Sequence, residues 1–206
     1  MHSLDAINPD GPALRVEFIR RSDRYAHTIS IVDQLRGVQP VLESAEGTAT
    51  DDWPASPPLQ NLSIEELAPG RRAALLVGMA GRNHWSASVE PVPGRAALVF
   101  DVACRTANDA GRLGSTYELA ADQPPDDVSI CNRNAQSEFV EIAGEHYSLR
   151  IQAFTQFDCG ATSLAKNRIS IGPLADSRPN GTTYRWKYCV EVVPCGRPEV
   201  NLQPRA

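Results

Sequence analysis

The stretch from Arg71 to Arg105 constrains the fold more than any other part of the chain. It contains three short apolar segments separated by two turns that carry glycine, and segments this short suit strands better than helices. The segment that begins at Trp85 and the segment that ends at Cys104 alternate between apolar and polar residues, which is the period of a half-buried strand. The stretch therefore predicts a three-stranded antiparallel meander.

The alternation also predicts which side chains of the meander face the core. The first segment, residues 73–79, is an unbroken apolar run, and Gly78 within it disfavours a helix, so we expect a strand buried on both faces. In the other two segments one set of alternating residues is expected to point inward. These are Trp85, Ala87 and Val89, followed by Leu98, Phe100, Val102 and Cys104.

Strand-like segments recur along the whole chain. Roughly twelve can be distinguished at short spacing, and no amphipathic helix longer than two turns accompanies them. This pattern predicts an all-β protein, namely an antiparallel β-sandwich of the jelly-roll or a related type, with a closed barrel as the second choice. Long loops that are rich in proline favour the sandwich.

A chain of 206 residues suits one all-β domain. We therefore expect residues 1–206 to form a single sandwich, with loose ends at about 1–12 and 197–206. Residues 121–127, with the sequence ADQPPDD, are the best candidate for a crossover between sheets or a weak domain boundary.

Composition excludes several classes of partner. The net charge of −5 argues against nucleic-acid binding, which needs a basic face. No stretch approaches the ~20 apolar residues of a membrane helix, and the N-terminus lacks the pattern of a secretory signal. Five cysteines without a CxxC motif indicate reduced thiols. We therefore expect a cytoplasmic protein without membrane contact; its oligomeric state is not predicted.

No metal or cofactor is expected. The sequence lacks a Walker loop, a dinucleotide-binding glycine motif, HExxH and an EF-hand loop. Cys189 and Cys195 are too far apart for the short paired spacing of a zinc site. His84 and Glu90 share a strand face, but six residues at ~3.3 Å each place them roughly 20 Å apart.

The turn before the second strand of the meander carries the first candidate for ligand binding. Arg82 and Asn83 offer planar hydrogen-bond donors, and His84 and Trp85 follow them directly. Sugars need such donors beside an aromatic face, so we interpret these four residues as a ligand-contact set. The alternative is that Arg82 and Asn83 only satisfy backbone carbonyls of the turn.

Trp53 is the second candidate. It lies in a polar loop at residues 46–58, EGTATDDWPASPP, which contributes little to a core. The tryptophan is either a plug over an open sheet edge or a surface on which a ligand stacks.

Three functions remain open at this point. The leading hypothesis is a non-catalytic sandwich that binds a small molecule, preferably a carbohydrate, through loops at one end. The first alternative is an epimerase-like or lyase-like enzyme, in which two of His27, His84 and His146 meet beside a carboxylate. The second alternative is an interaction module that pairs with a partner protein through an exposed sheet edge.

Overall fold

The computed structural model of the protein describes residues 1–106, 111–120, 128–132, 138–144, 146–154, 156, 159–165, 167–174 and 182–194. Within these ranges the chain forms fifteen β-strands and no α-helix, so none of these elements is a helix that could cross a membrane. The strands are β1 (His2–Ala6), β2 (Ala13–Arg21), β3 (Arg24–Asp33), β4 (Gly37–Ser44), β5 (Leu59–Ala68), β6 (Arg71–Ala80), β7 (Asn83–Pro91), β8 (Ala97–Arg105), β9 (Ser115–Leu119), β10 (Val128–Asn132), β11 (Glu138–Ile142), β12 (Tyr147–Ala153), β13 (Cys159–Ala165), β14 (Arg168–Pro173) and β15 (Thr183–Pro194).

The strands form two antiparallel sheets that pack face to face. The first sheet has the order β1-β2-β3-β4-β9-β14-β13, and the second has the order β10-β11-β12-β15-β8-β7-β6-β5. The described strands do not close into a barrel. The predicted β-sandwich is therefore confirmed, and the second choice of a barrel is not formed.

The meander is confirmed as well. β6, β7 and β8 pair in sequence order within the second sheet. The inward-facing residues of β7 and β8 are those that the alternation predicts, and all of them are at most 8% exposed: Trp85, Ala87, Val89, Leu98, Phe100, Val102 and Cys104. Together with the inward residues of the first sheet they form the core between the two layers.

The prediction that β6 is buried on both faces is wrong. Leu75, Val77 and Met79 alternate with buried neighbours and are 39%, 51% and 46% exposed. A sandwich covers only one face of each sheet, and no described residue covers the outer face of β6. An apolar run therefore occurs here on a strand that is only half-buried.

The prediction of a loose N-terminus is also wrong. β1 pairs with β2 at the edge of the first sheet, and its side chains at Leu4 and Ala6 are buried. The Arg15 guanidinium donates to the Asp5 carboxylate across this pair, with Nε and Oδ1 2.7 Å apart. The strand is short, so its alternation does not stand out in the sequence.

Residues 121–127 and 197–206 lie outside the described residues. β9, which precedes the first of these segments, belongs to the first sheet, and β10, which follows it, belongs to the second. The chain therefore passes from one sheet to the other between β9 and β10, which agrees with a crossover in that part of the chain.

Phe100 provides a test of the core. Its ring stacks on Tyr188 with centroids 4.9 Å apart and lies 5.8 Å from the ring of His27 in the facing sheet. Phe100→Ala removes these contacts and leaves a cavity between the layers, so we expect the free energy of unfolding to fall by about 3–5 kcal/mol. Urea denaturation measures the loss.

Val99→Ala is the matched control, because Val99 lies on the outer face of the same strand and is only partly buried. It should cost less than about 1.5 kcal/mol. A Phe100→Ala loss below about 1 kcal/mol would contradict the inward placement of the ring.

Candidate functional site

A cleft of about 840 Å³ opens at one end of the first sheet, and we call it the Trp53 cleft. Three parts of the chain form it: the turn between β2 and β3, the loop that follows β4, and residues at β9 and β14. Its lining residues include Arg21, Ser22, Asp23, Arg24, Glu43, Ser44, Glu46, Asp51, Trp53, Arg112, Glu118 and Arg168.

The turn between β2 and β3 is a two-residue hairpin. Arg21 and Arg24 pair directly, so that only Ser22 and Asp23 connect the strands. Ser22 has a φ of 59°, which is the only positive φ of a non-glycine residue in the described chain. A side chain in the left-handed region is uncommon, but the favoured two-residue hairpin turns require a positive φ at their first central residue. The turn forms one wall of the cleft.

Arg24 is a buried cation at this wall, only 3% exposed. Its Nε and Nη2 donate to the two carboxylate oxygens of Asp23 at 2.9 and 3.1 Å, and Nη2 also donates to the carbonyl oxygen of Thr48 at 3.0 Å. The hydrogen bond from Arg24 holds the pKa of Asp23 below its usual range. Nη1 is buried and has no hydrogen-bond partner among the described residues.

Glu46 is the half-buried carboxyl group of the cleft. Its Oε1 accepts a hydrogen bond from Ser44 Oγ at 2.6 Å, whereas its Oε2 is buried without a partner in the described structure. Burial raises the pKa of Glu46 to about 7, and the Ser44 hydrogen bond and the charges of Arg24 and Arg21 oppose this shift. Glu46 therefore exchanges its proton near neutral pH.

Trp53 is half-buried and packs against the core while it lines the cleft. The chain at Gly111 passes so close that a Cβ there would lie 2.6 Å from Trp53 Cγ, and only glycine fits against the indole. Hydrogen bonds fix the loop on both sides of Trp53: Asn83 Nδ2 donates to the carbonyl of Asp52, and Ser56 Oγ donates to the carbonyl of Thr116. The scaffold therefore positions this loop, as is typical of binding loops.

Two further ion pairs line the cleft. Arg21 lies 3.9 Å from Glu43, and Arg168 pairs with Glu118. Arg112 is exposed and has no partner among the described residues. The cleft thus carries charges of both signs.

The structure divides the predicted contact set at the start of β7. Arg82 and His84 point outward and are exposed, whereas Asn83 and Trp85 point inward and are 6% and 2% exposed. Trp85 packs edge to face against Trp186 with ring centroids 6.0 Å apart, and therefore does not present its face to solvent. Arg82 and His84 line a shallow depression of about 370 Å³ on the outer face of the second sheet.

The three candidate histidines lie in different parts of the described structure. His27 is in the core, where its Nε2 lies 2.9 Å from the hydroxyl oxygen of Tyr117, and burial lowers its pKa to about 4. His84 lies on the outer face of the second sheet, and His146 is exposed between β11 and β12. No two of them share a described cleft. The described residues also contain no group of three His, Cys, Asp or Glu arranged to hold a metal ion.

Sequence reasoning identified Trp53 but missed Arg24 and Glu46. Arg24 belongs to a polar segment, and Glu46 opens a polar loop, and such composition ordinarily indicates exposure to solvent. The loop at residues 46–58 folds back over the β2–β3 turn and buries them. No local pattern in the sequence signals this tertiary contact.

Comparisons with known proteins add no family to this description: no family model matches the chain, and a search of curated proteins finds no significant relative.

The buried neutral His27 predicts sensitivity to acid. Its pKa is about 4 in the folded protein and 6.5 as an unperturbed group. As the pH falls from 6.5 towards 4, the unfolded chain takes up a proton that the folded protein does not, so the free energy of unfolding decreases. Above this window His27 is neutral in both states and contributes no pH dependence.

The measurement is urea denaturation at a series of pH values for the wild type and His27→Gln. In this window the wild type should lose more stability than the variant, with slopes that differ by up to about 1.4 kcal/mol per pH unit. His84→Gln, on the exposed outer face, is the control and should keep the wild-type slope. Identical slopes for the wild type and His27→Gln would disprove the prediction.

Proposed function

We propose that the protein binds a small hydroxylated ligand, preferably a carbohydrate, in the Trp53 cleft, and that it does so without catalysing a reaction. One observation carries the proposal. A buried donor, Arg24 Nη1, and a buried acceptor, Glu46 Oε2, both belong to residues that line the cleft, and neither has a partner among the described residues.

A hydroxyl group is the chemical group that meets both requirements. It accepts a hydrogen bond through its oxygen and donates one through its hydrogen, so one hydroxyl or a vicinal pair can engage Arg24 and Glu46 together. A buried polar group without a partner costs about 1–3 kcal/mol, and a ligand that satisfies it recovers this energy. A simple anion would be repelled by the Glu46 carboxylate, and a simple cation by Arg24.

The other features of the cleft support a sugar over a smaller alcohol. Trp53 contributes an aromatic side chain, on which the apolar face of a sugar ring can stack. Arginine supplies planar donors, which suit adjacent hydroxyls. The volume of about 840 Å³ falls within the ~300–1,000 Å³ typical of ligand sites.

The geometry gives less support to a histidine-dependent enzyme. A histidine-dependent enzyme needs two histidines beside a carboxylate, and His27, His84 and His146 lie apart in the described structure. Binding without catalysis is therefore the function that we favour. The cytoplasmic location stays a prediction.

A glycan array, followed by a thermal-shift screen of small sugars, would identify the ligand. With the best sugar, Glu46→Gln should weaken binding by roughly 10-fold to 100-fold, because it removes a charged acceptor worth ~1.5–3 kcal/mol. Trp53→Ala should weaken it by up to about tenfold, through the loss of ring stacking. Calorimetric titration measures both effects.

Glu65→Gln is the matched control, since Glu65 is exposed on β5, outside the cleft. It should leave the affinity unchanged. Thermal melts establish that each variant is folded; because Trp53 also packs against the core, Glu46→Gln is the deciding variant. Unchanged affinity in Glu46→Gln, or no sugar bound by the wild type, would refute the proposal.

The affinity should also depend on pH. Arg24 can only donate, so the oxygen of the ligand hydroxyl accepts its hydrogen bond. The hydrogen of that hydroxyl is then donated to Glu46, which must be ionised to accept it as a carboxylate. Because the pKa of Glu46 is about 7, affinity should rise as the pH increases through 7. Titrations between pH ~6 and ~8 test this, and the rise should be absent in Glu46→Gln. An affinity that falls with pH would contradict the assigned hydrogen bonds.

A further inference from the structure

A second surface of the protein is independent of the Trp53 cleft and lies on the outer face of the second sheet. We call it the β6 face and define it by the apolar stripe Leu75, Val77 and Met79 and the basic residues Arg82, His84 and Arg105. The strand register places Met79 beside His84 and His84 beside Arg105. The stripe and the basic cluster therefore form one continuous surface.

The apolar stripe is the first unusual property of this surface. Leu75, Val77 and Met79 are 39%, 51% and 46% exposed and follow one another on one side of a single strand. Isolated apolar residues are ordinary on a protein surface, but contiguous ones mark interaction sites. No described residue covers them.

The charge of the basic cluster is the second unusual property. The protein is acidic, with a net charge of −5. Several other cations of the same sheet have acidic partners: Arg71 pairs with Glu90, and Arg185 and Lys187 pair with Asp101. Arg82, His84 and Arg105 have no acidic partner among the described residues.

We propose that the β6 face docks an extended segment of a partner protein in which two apolar residues and then an acidic residue follow one another at every second position. Residues 75–79 span roughly 13 Å, which accommodates two apolar side chains of an extended peptide, spaced two residues apart. An acidic residue two positions beyond them points to the same side of the extended segment and would reach Arg82 and Arg105, which supplies the charge complementarity. The partner is thus defined by its chemistry.

The shape of the surface argues against the other ligand classes. The depressions beside His84 are shallow, with volumes of about 370 and 450 Å³, and they lie open on the sheet face. A single small-molecule ligand would need a more enclosed pocket, which this surface does not offer. A nucleic acid would not satisfy the apolar stripe. An amphipathic acidic peptide meets both the stripe and the cluster.

The test uses a short fluorescent peptide in which every second residue is, in order, Leu, Leu, Glu and Glu, with Ser between them, and a control peptide with Lys in place of Glu. Fluorescence anisotropy with the full chain should show saturable binding of the acidic peptide and none of the basic one. No saturable binding of the acidic peptide, or equal binding of both, would overturn the proposal.

Variants then locate the binding surface. The double change Arg82→Glu with Arg105→Glu should weaken binding by about tenfold or more, because each reversal replaces an attraction of up to ~1 kcal/mol by a repulsion. Val77→Ser with Met79→Ser should weaken it without changing the net charge. Arg72→Glu is the matched control, because Arg72 is exposed at the opposite end of β6.

Equal weakening by Arg72→Glu would show that only the overall charge matters and would overturn the proposal. Unchanged affinity in both double variants would also overturn it. Sedimentation equilibrium without peptide tests whether a second copy of this chain binds the β6 face instead. Self-association that disappears in the Val77→Ser, Met79→Ser variant would assign the face to the second copy and reject the peptide.

Discussion

The hydrogen bond between the phenol oxygens of Tyr117 and Tyr188 joins the two sheets at their centre. Its length is 2.7 Å, and both residues are at most 1% exposed. Tyr117 lies on β9 and Tyr188 on β15, and both strands are interior members of their sheets. A phenol buried without a partner would destabilise the fold, so the sandwich depends on a facing arrangement in which the two hydroxyls meet. The indole N–H of Trp186, which donates to Ser115 Oγ at 3.1 Å, links the same two strands.

This central pair is connected to the Trp53 cleft through the first sheet. The imidazole of His27 bonds to Tyr117, and the backbone N–H of His27 donates to Ser44 Oγ at 2.8 Å. Ser44 in turn donates to Glu46. The carboxylate of the cleft is therefore positioned by the pairing of β3 with β4 as well as by its own loop. A side chain held by the core in this way is preorganised, which favours specific binding of a small ligand.

Much of the fold could be predicted from the sequence, because a half-buried strand requires alternation. The faces of β7 and β8 follow that alternation, and their inward residues are buried. At other positions burial does not follow the local pattern of the sequence. β1 is too short to reveal a period, and Leu75, Val77 and Met79 are apolar without being buried.

The site was harder to predict than the fold, and the reason is physical. Arg24 and Glu46 are buried by a loop that is distant from Arg24 in sequence, and the loop has a composition that normally indicates solvent exposure. The tertiary contact between Arg24 and Thr48 brings this loop against the turn between β2 and β3. Trp53 could be predicted because a tryptophan is conspicuous in a polar loop, whichever role it has.

Gly81 and Asn83 lie in the turn that the sequence suggested as a ligand site. In the structure both contact the loop that carries Trp53. Gly81, with a φ of 56°, lies against Asp52, and a side chain at position 81 would collide with the Asp52 carboxylate. Asn83 donates to the carbonyl oxygen of the same residue at 3.4 Å. Since Trp53 follows Asp52 directly, the turn before β7 holds the chain at the point where the indole enters the cleft. The turn and the loop are therefore parts of one structural unit, in which the turn supports the position of the aromatic side chain.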